Sequence, residues 1–340
     1  MTENSGNSAR RPTIYDLAQI AGASPSAVSS ILNGTWKKRR ISAATAERVT
    51  RIATEQGYAV NLQASLLRRE RSHIIGMIVP KYDNRYFGAI AERFEAMARA
   101  RDLFPVITCT QRDPDLEFEA AREMVSYQAE TLVITGATDP DRIADFCAAA
   151  GVRAINLDLP GSKAPSVVSD NFGGARDLTR LILSRLRDDF GEAAPLWFIG
   201  GRPHDHNTVE RLRGFRAAHD EAGLPAPEAQ VIMPGYSPDK AAAALAGRAF
   251  PPRFGIFVNS TITMEGVVRW LGDNLAMDRV RLGCFDWDPF AALLPQNVGM
   301  AEQDVPAMLQ QVFDAIAGGT DQPTRIDVPC ILHPLPARGA

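Results

Sequence analysis

Two stretches of this 340-residue chain carry side chains whose types and spacing suit chemistry. In the first, Ser26, Ser29, Ser30 and Asn33 share the polar side of a short helical segment, and Lys37, Lys38, Arg39 and Arg40 follow at once. Small hydrogen-bonding side chains on a helix can lie against base edges in a major groove, while neighbouring cations hold the phosphate backbone. In the second, polar and aromatic residues stand directly after apolar, strand-like runs. Lys81-Tyr82-Asp83-Asn84-Arg85-Tyr86-Phe87 comes after HIIGMIV, and Gly200 to Asn207, with Arg211 beyond, comes after PLWFIG. Sugar sites want this mixture, because planar polar groups fix hydroxyls and rings cover the C–H surface. His204-Asp205-His206 alternates in a way that can bind metal, but no further Cys or His is placed to complete a site, so neither a metal nor a cofactor is expected.

The elements that must position the first group are legible. Thr13, with Asp16 three places on, forms a capping box for a helix whose apolar face is Ile14, Leu17, Ala18 and Ala21, and Gly22 stops it. Ser24 then caps a second helix with Pro25 at its first position and a stripe of Ala27, Val28, Ile31 and Leu32. So short a turn suits an angular helix pair. A third helix starts after Ser42, packs through Ala46, Val49, Ile52 and Ala53, and ends at Gly57.

The charge is divided along the chain. Residues 1–72 hold 11 Lys and Arg against 5 Asp and Glu, and the remainder holds 26 against 35, a basic head on an acidic body. A polyanion partner for the head alone follows from that division. No apolar run approaches the length of a membrane span, and the polar N-terminus lacks a secretory pattern, so a cytoplasmic protein is expected. Cys109, Cys147, Cys284 and Cys330 are widely spaced and read as reduced thiols.

From residue 73 short apolar runs alternate with helical stretches, the mark of parallel α/β sheets. Strands are expected at HIIGMIV, FPVITC, TLVIT, RAINL, PLWFIG, AQVIM, FGIFV and VRLGCF, and helices over 87–101, 115–128, 141–150, 172–187, 207–221, 238–248 and 261–274. Ligands of such sheets bind beyond the carboxyl ends of the strands. No G-x-G-x-x-G after a strand, P-loop, G-x-S-x-G or H-E-x-x-H is present, which argues against an enzyme. A stand-alone solute receptor would suit the body but not the basic helical head.

Collinear with these features, TIYDLAQIAGASPSAVSSILNG, RISAATAERVTRIATEQGYAVNLQASLLR and IIGMIVP resemble the head, hinge and first body strand of the lactose-repressor (LacI/GalR) family. The long stretch before the third helix resembles the fructose-repressor branch. The resemblance implies an α/β architecture in which a helix-turn-helix head of residues 13–59 follows a disordered 1–12. A hinge of 60–72 then leads to a two-lobed periplasmic-binding-protein-like body of 73–330 and a tail of 331–340. It assigns DNA contact to Thr13, Tyr15, Ser24, Pro25, Ser26, Ala27, Ser29, Ser30, Asn33, Lys37, Lys38, Arg39 and Arg40, and to Asn61, Ala64 and Leu67 of the hinge. Leu67 stands where an apolar wedge enters the minor groove. Many relatives have Arg at Ser30 and Pro at Val60. Effector contact falls to Tyr86, Phe87, Asp158, Arg211, Asn259 and Asp286, with Arg211 opening an R-L-x-G-F pattern. Leu159 replaces an Arg of the fructose branch, which favours an uncharged sugar or polyol. A homodimeric transcriptional repressor on a pseudo-palindromic operator is the expectation.

Overall fold

The computed structural model describes residues 12–58, 72–191, 194–319 and 322–336. The chain divides into two compact units, Met1–Ser72 and His73–Ala340.

In the first unit, α1 (Ile14–Ala21), α2 (Pro25–Leu32) and α3 (Ala43–Glu55) close a small core around Leu17, Val28 and Val49. The capping box forms: Thr13 N–H donates to Asp16 Oδ2 at 2.7 Å and Asp16 N–H donates to Thr13 Oγ1 at 3.3 Å. Gly22 ends α1 in the left-handed region at φ 58°, and Ser24 caps α2 by accepting from Ala27 N–H. The helices run to 8, 8 and 13 residues, too short to persist alone, so mutual burial of their apolar faces holds them.

The second unit carries two six-stranded sheets. The first has strand order β11-β5-β4-β3-β1-β2, built from β1 (Ile74–Val79), β2 (Phe104–Cys109), β3 (Thr131–Thr135), β4 (Arg153–Leu157), β5 (Ser166–Ser169) and β11 (Arg325–Val328), all parallel. The second runs β12-β10-β9-β8-β6-β7, from β6 (Leu196–Ile199), β7 (Val231–Ile232), β8 (Phe254–Val258), β9 (Val280–Phe285), β10 (Asn297–Glu302) and β12 (Ile331–Pro334), with only β12 antiparallel. Central strands such as IIGMIV and FGIFV are buried along their whole length, because helices cover both faces of a parallel sheet.

The covering helices are α4 (Arg85–Arg99), α5 (Pro114–Ser126), α6 (Pro140–Ala149), α7 (Asn171–Phe190), α8 (His206–Ala222), α9 (Pro238–Leu245), α10 (Thr261–Asp273) and α11 (Val305–Gly318). The chain changes lobe three times, after β5, after β10 and between β11 and β12. Helix α11 therefore packs Val305, Leu309 and Phe313 into the first lobe although it follows a strand of the second.

Several elements depart from the expectations above. The four strands β5, β10, β11 and β12 and the helix α11 have no counterpart among them. SVVS is only four residues long, NVGMAE carries a glycine, and RIDV and ILHP are edge strands that need little apolar sequence. Ile331–Pro334, read as part of a tail, instead pairs with β10. In AQVIM only Val231 and Ile232 pair; Ala229 and Gln230 lie in a 3-10 turn.

Candidate functional site

On the head, Ser24, Pro25 and Ser26 at the start of α2 are exposed, while Ala27, Ser29 and Asn33 are half-buried. Ser30 does not belong to that exposed face. It is 6% exposed and donates its hydroxyl to the Ser26 carbonyl at 2.8 Å. After α2 the chain turns back, with Thr35 N–H donating to the Ser30 carbonyl at 2.9 Å. Ser24 Oγ is held in its cap and lies 3.2 Å from Ser26 Oγ. Thr13 is likewise engaged with Asp16, whereas Tyr15 is 71% exposed.

The basic stretch forms a 3-10 turn over Trp36–Arg39 and leaves Lys37, Lys38, Arg39 and Arg40 exposed. Trp36 packs on the head core and carries the Lys37 ammonium 5.5 Å from its ring centroid. A ring anchored in the core thus fixes where the cations emerge. Asn61, Ala64 and Leu67 lie outside the described residues.

In the body, a cavity of about 360 Å³ opens beyond the carboxyl ends of strands from both sheets. Tyr86, Phe87, Asp158, Arg211 and Asp286 line it. Asp158 follows β4 and Asp286 follows β9, and the two take matching left-handed conformations, φ 74° and 71°. Such backbone is costly for a residue other than glycine and collects at binding sites. Each lobe contributes one buried carboxylate from an equivalent place.

Polar groups link these residues across the cleft. Tyr86 Oη donates to Asp158 Oδ1 at 3.2 Å, and Asn207 Nδ2 donates to the same oxygen at 3.0 Å. Asn171 Nδ2 donates to Asn207 Oδ1 at 3.0 Å, and Arg211 Nε donates to Asn171 Oδ1 at 2.7 Å. Arg211 also donates from Nη1 to the Asn259 carbonyl at 2.6 Å and stacks 3.7 Å from the Phe285 ring centroid. Asp286 Oδ1 accepts from Gln303 Nε2 at 2.6 Å, and Gln303 Oε1 accepts from Ser169 at 2.7 Å. Ser169 and Gln303 sit at two of the lobe changes, so these bonds tie two of the crossings to the cleft.

The residues around Arg211 each have a separate task. Arg211 itself faces the cleft. At Gly214 a Cβ would come within 2.2 Å of the Phe172 carbonyl, so glycine there lets α7 and α8 touch. Phe215 is fully buried against Phe198 and Phe257 beneath the second sheet.

Burial disfavours the charged forms of both carboxylates. It pushes Asp158 up to about 6 against the opposing influence of Arg112. It raises Asp286 as well, against Arg211 and the Gln303 hydrogen bond. For Arg211 burial acts downward, but Asp286, Tyr236 and Asp158 together raise its pKa. Tyr86 is pushed well up by burial and by Asp158. The result is a cleft of fixed acceptors and a fixed cation, able to bind hydroxyl groups.

Asn259 is not among the lining residues. Its side chain is wholly buried, with Nδ2 on Tyr236 Oη at 3.3 Å and Oδ1 unpartnered, and the next residue, Ser260, reaches the cavity instead. Phe87 serves both the lobe core and the cavity wall. Sequence reasoning missed Arg112, Tyr236 and Gln303. Arg112 and Tyr236 follow β2 and β7, so strictly inspecting every strand end would have found them; Gln303 follows β10, which was not read as a strand. Among the described residues no cluster of three His, Cys, Asp or Glu could hold a metal ion.

Residues 13–61 match the model of the bacterial regulatory proteins of the lacI family, and residues 72–264 match that of the periplasmic binding proteins and sugar binding domain of the LacI family. The chain belongs to the LacI family. This LacI-family member is thus a DNA-binding regulator of transcription whose head and body correspond to the family's two modules. It is 64% identical over 193 residues to the ribitol operon repressor of Klebsiella aerogenes, covering 57% of this chain and 72% of that protein. It is 28% identical over 341 residues to the sucrose operon repressor of Klebsiella pneumoniae, covering 95% and 98%. The fold of the lac repressor dimer bound to operator and the anti-inducer ONPF aligns with a TM-score of 0.78 at 19% identity, over 95% of this LacI-family chain and 98% of that one. Among the described residues no helix is long and apolar enough to cross a membrane.

Proposed function

We propose that this LacI-family regulator is a repressor whose grip on its operator is set by a small uncharged polyol, of the size and kind of a pentitol, bound between Asp158 and Asp286. The observation that carries this reading is the matched pair of buried carboxylates, one per lobe, on a single cavity with Arg211 beneath. Ionised carboxylates accept hydrogen bonds only, and a chain of hydroxyls offers donors along its whole length. Tyr86 and Phe87 cover the carbon side. The cavity lies near the lower end of the range for small-molecule sites, roughly 300 Å³, which suits a short ligand. The high identity to a ribitol operon repressor supports the same class.

In this reading Ser26, Ser29 and Asn33, with Pro25 and Ala27, read base edges. Lys37, Lys38, Arg39 and Arg40 hold phosphates, and Asn61, Ala64 and Leu67 act at the operator centre. Ser30 serves the helix and not the bases. Two protomers bind a two-fold operator in the cytoplasm, and no step of the function is catalytic. A polyol that bridges both carboxylates changes the angle between lobes, and it acts only through its difference in affinity for the two arrangements.

Calorimetric titration of the purified protein with ribitol, other pentitols and sucrose, paired with operator-binding anisotropy, tests the reading. A pentitol should bind and shift operator affinity. Binding by none of the pentitols, or binding that survives unchanged in both Asp158→Asn and Asp286→Asn, sinks it.

A further inference from the structure

Beside the polyol cavity lies a second one of about 410 Å³, bounded by Thr138 and Leu159 of the first lobe and by Pro203, His204 and His206 of the second. The two cavities share two residues, Arg112 and Arg202. One comes from each lobe: Arg112 follows β2 and Arg202 follows β6. Both guanidinium carbons lie within 6 Å of the Tyr236 ring centroid, 5.9 and 5.7 Å away, so they are less than about 12 Å apart. Neither guanidinium forms a salt bridge among the described residues. Arg112 donates only to the Gly136 carbonyl, at 3.3 Å, and stands over the Phe87 ring.

On the second cavity itself the acid is already engaged. Asp205 is the one carboxylate on the second cavity, and its Oδ2 already accepts from Thr208 N–H, Thr208 Oγ1 and Tyr236 Oη. Asp158 is close enough to be stabilised by Arg112 but makes no ion pair with it. His206 brings a ring whose Nε2 is buried without a partner. The first cavity adds Asp83, Asp158, Glu265 and Asp286, and the charge of Arg112 acts on both Glu117 and Asp158, yet among the described residues no carboxylate is within ion-pair distance of either guanidinium. A guanidinium offers a planar fork of donors that fits an oxyanion in two-point contact.

We propose that Arg112 and Arg202 form an oxyanion subsite at the junction of the two cavities, taking a phosphate-type group that draws the lobes together. The group arrives either as the phosphoryl end of a phosphorylated polyol or as free phosphate seated beside a neutral one. The second source rests on the polyol reading above; the first does not need an uncharged effector. Leu159 leaves the older route to a phosphate, an Arg next to Asp158, unavailable in this chain, and the shared arginines provide a different one.

The test is calorimetry on the full chain with ribitol, inorganic phosphate and ribitol 5-phosphate, on the natural protein and on Arg112→Gln and Arg202→Gln, with melting curves to verify folding. Ribitol 5-phosphate binding at least tenfold more tightly than ribitol, or phosphate raising ribitol affinity, with either gain lost in Arg202→Gln, supports the subsite. Arg202 is exposed and its replacement is expected to fold, as the melting curves verify, so the test does not depend on Arg112→Gln alone. Absence of any gain in the natural protein, or a gain that persists in both variants, overturns it. Ribitol binding without a phosphate effect removes the subsite and leaves the polyol reading intact. Binding of the phosphate ester alone does the reverse.

Discussion

Asn207 at the start of α8 donates a 3.0 Å hydrogen bond to Asp158 at the end of β4, and the two residues belong to different lobes. Both are buried, Asn207 at 6% and Asp158 at 3% exposure. The bond is the last link of a chain from Arg211 through Asn171, so the charge of the second lobe is coupled to the carboxylate of the first.

Asn207→Asp replaces that donor with an acceptor facing a buried carboxylate. A hydrogen bond to a charged group contributes about 1.5 to 3 kcal/mol, and like charges at close range add repulsion. We expect effector affinity to fall by about tenfold or more, measured by calorimetry, with a more open body by small-angle scattering. Unchanged affinity and shape would show that the interlobe bond carries no weight.

Asp158 supplies a pH dependence with a definite sign. Its carboxyl is raised from 3.8 to about 6 by burial, so the folded protein holds a proton that the unfolded chain has already released. This group therefore favours the folded state below pH 4, and the advantage is lost as pH rises through 6. At pH 7 Asp158→Asn should raise stability by about 1 to 3 kcal/mol while abolishing the effector response. The stability gain should shrink below pH 4 in chemical denaturation. A variant less stable than the natural protein at pH 7 contradicts the assignment.

Arg211 lines the cleft and also holds its surroundings together. Arg211→Ala would strip Asn171, the Asn259 carbonyl, Phe285 and Asp286 of their cation at once. Breaking a buried charge network of this kind costs about 3 to 5 kcal/mol, so a large drop in the melting temperature of the body is expected. Arg211→Lys keeps the charge but cannot donate to both partners in the same geometry. It should fold with a smaller loss and still fail to respond to effector; a normal response would separate Arg211 from the cleft's function.

In the head, Ser29→Ala and Ser30→Ala should part company. Ser30 bonds the Ser26 carbonyl and is covered, so its replacement should leave base preference unaltered in operator selection experiments. Ser29 is partly accessible and its replacement should relax the preference. Removing Lys37 and Lys38 together takes two cations from each protomer and should reduce the slope of log affinity against log salt by about 4 for the dimer. Equal slopes would place these cations off the phosphates.

The head could be read from the sequence because its determinants are local. A capping box needs only Thr13 and Asp16, a second cap only Ser24 and Pro25, and the apolar spacing of each short helix leaves a single way to bury it. The body strands with continuous apolar runs were legible for the same reason, since a strand covered on both faces must be apolar throughout. Burial of Ser30 was not legible, because it depends on tertiary packing and not on spacing within α2. Nor were β5, β10, β11 and β12, short or edge strands whose hydrogen bonds come from partners far away in the chain. The same holds for the cleft. Tyr86, Asp158 and Asp286 each stand at a strand or helix end that the sequence announces, and Arg211 lies in the second turn of α8. Their meeting with Asn207, Gln303, Arg112 and Arg202 follows from three lobe changes that no local pattern encodes. Chain order supplied the polar groups, and the folding of two sheets toward each other decided which of them face one cavity.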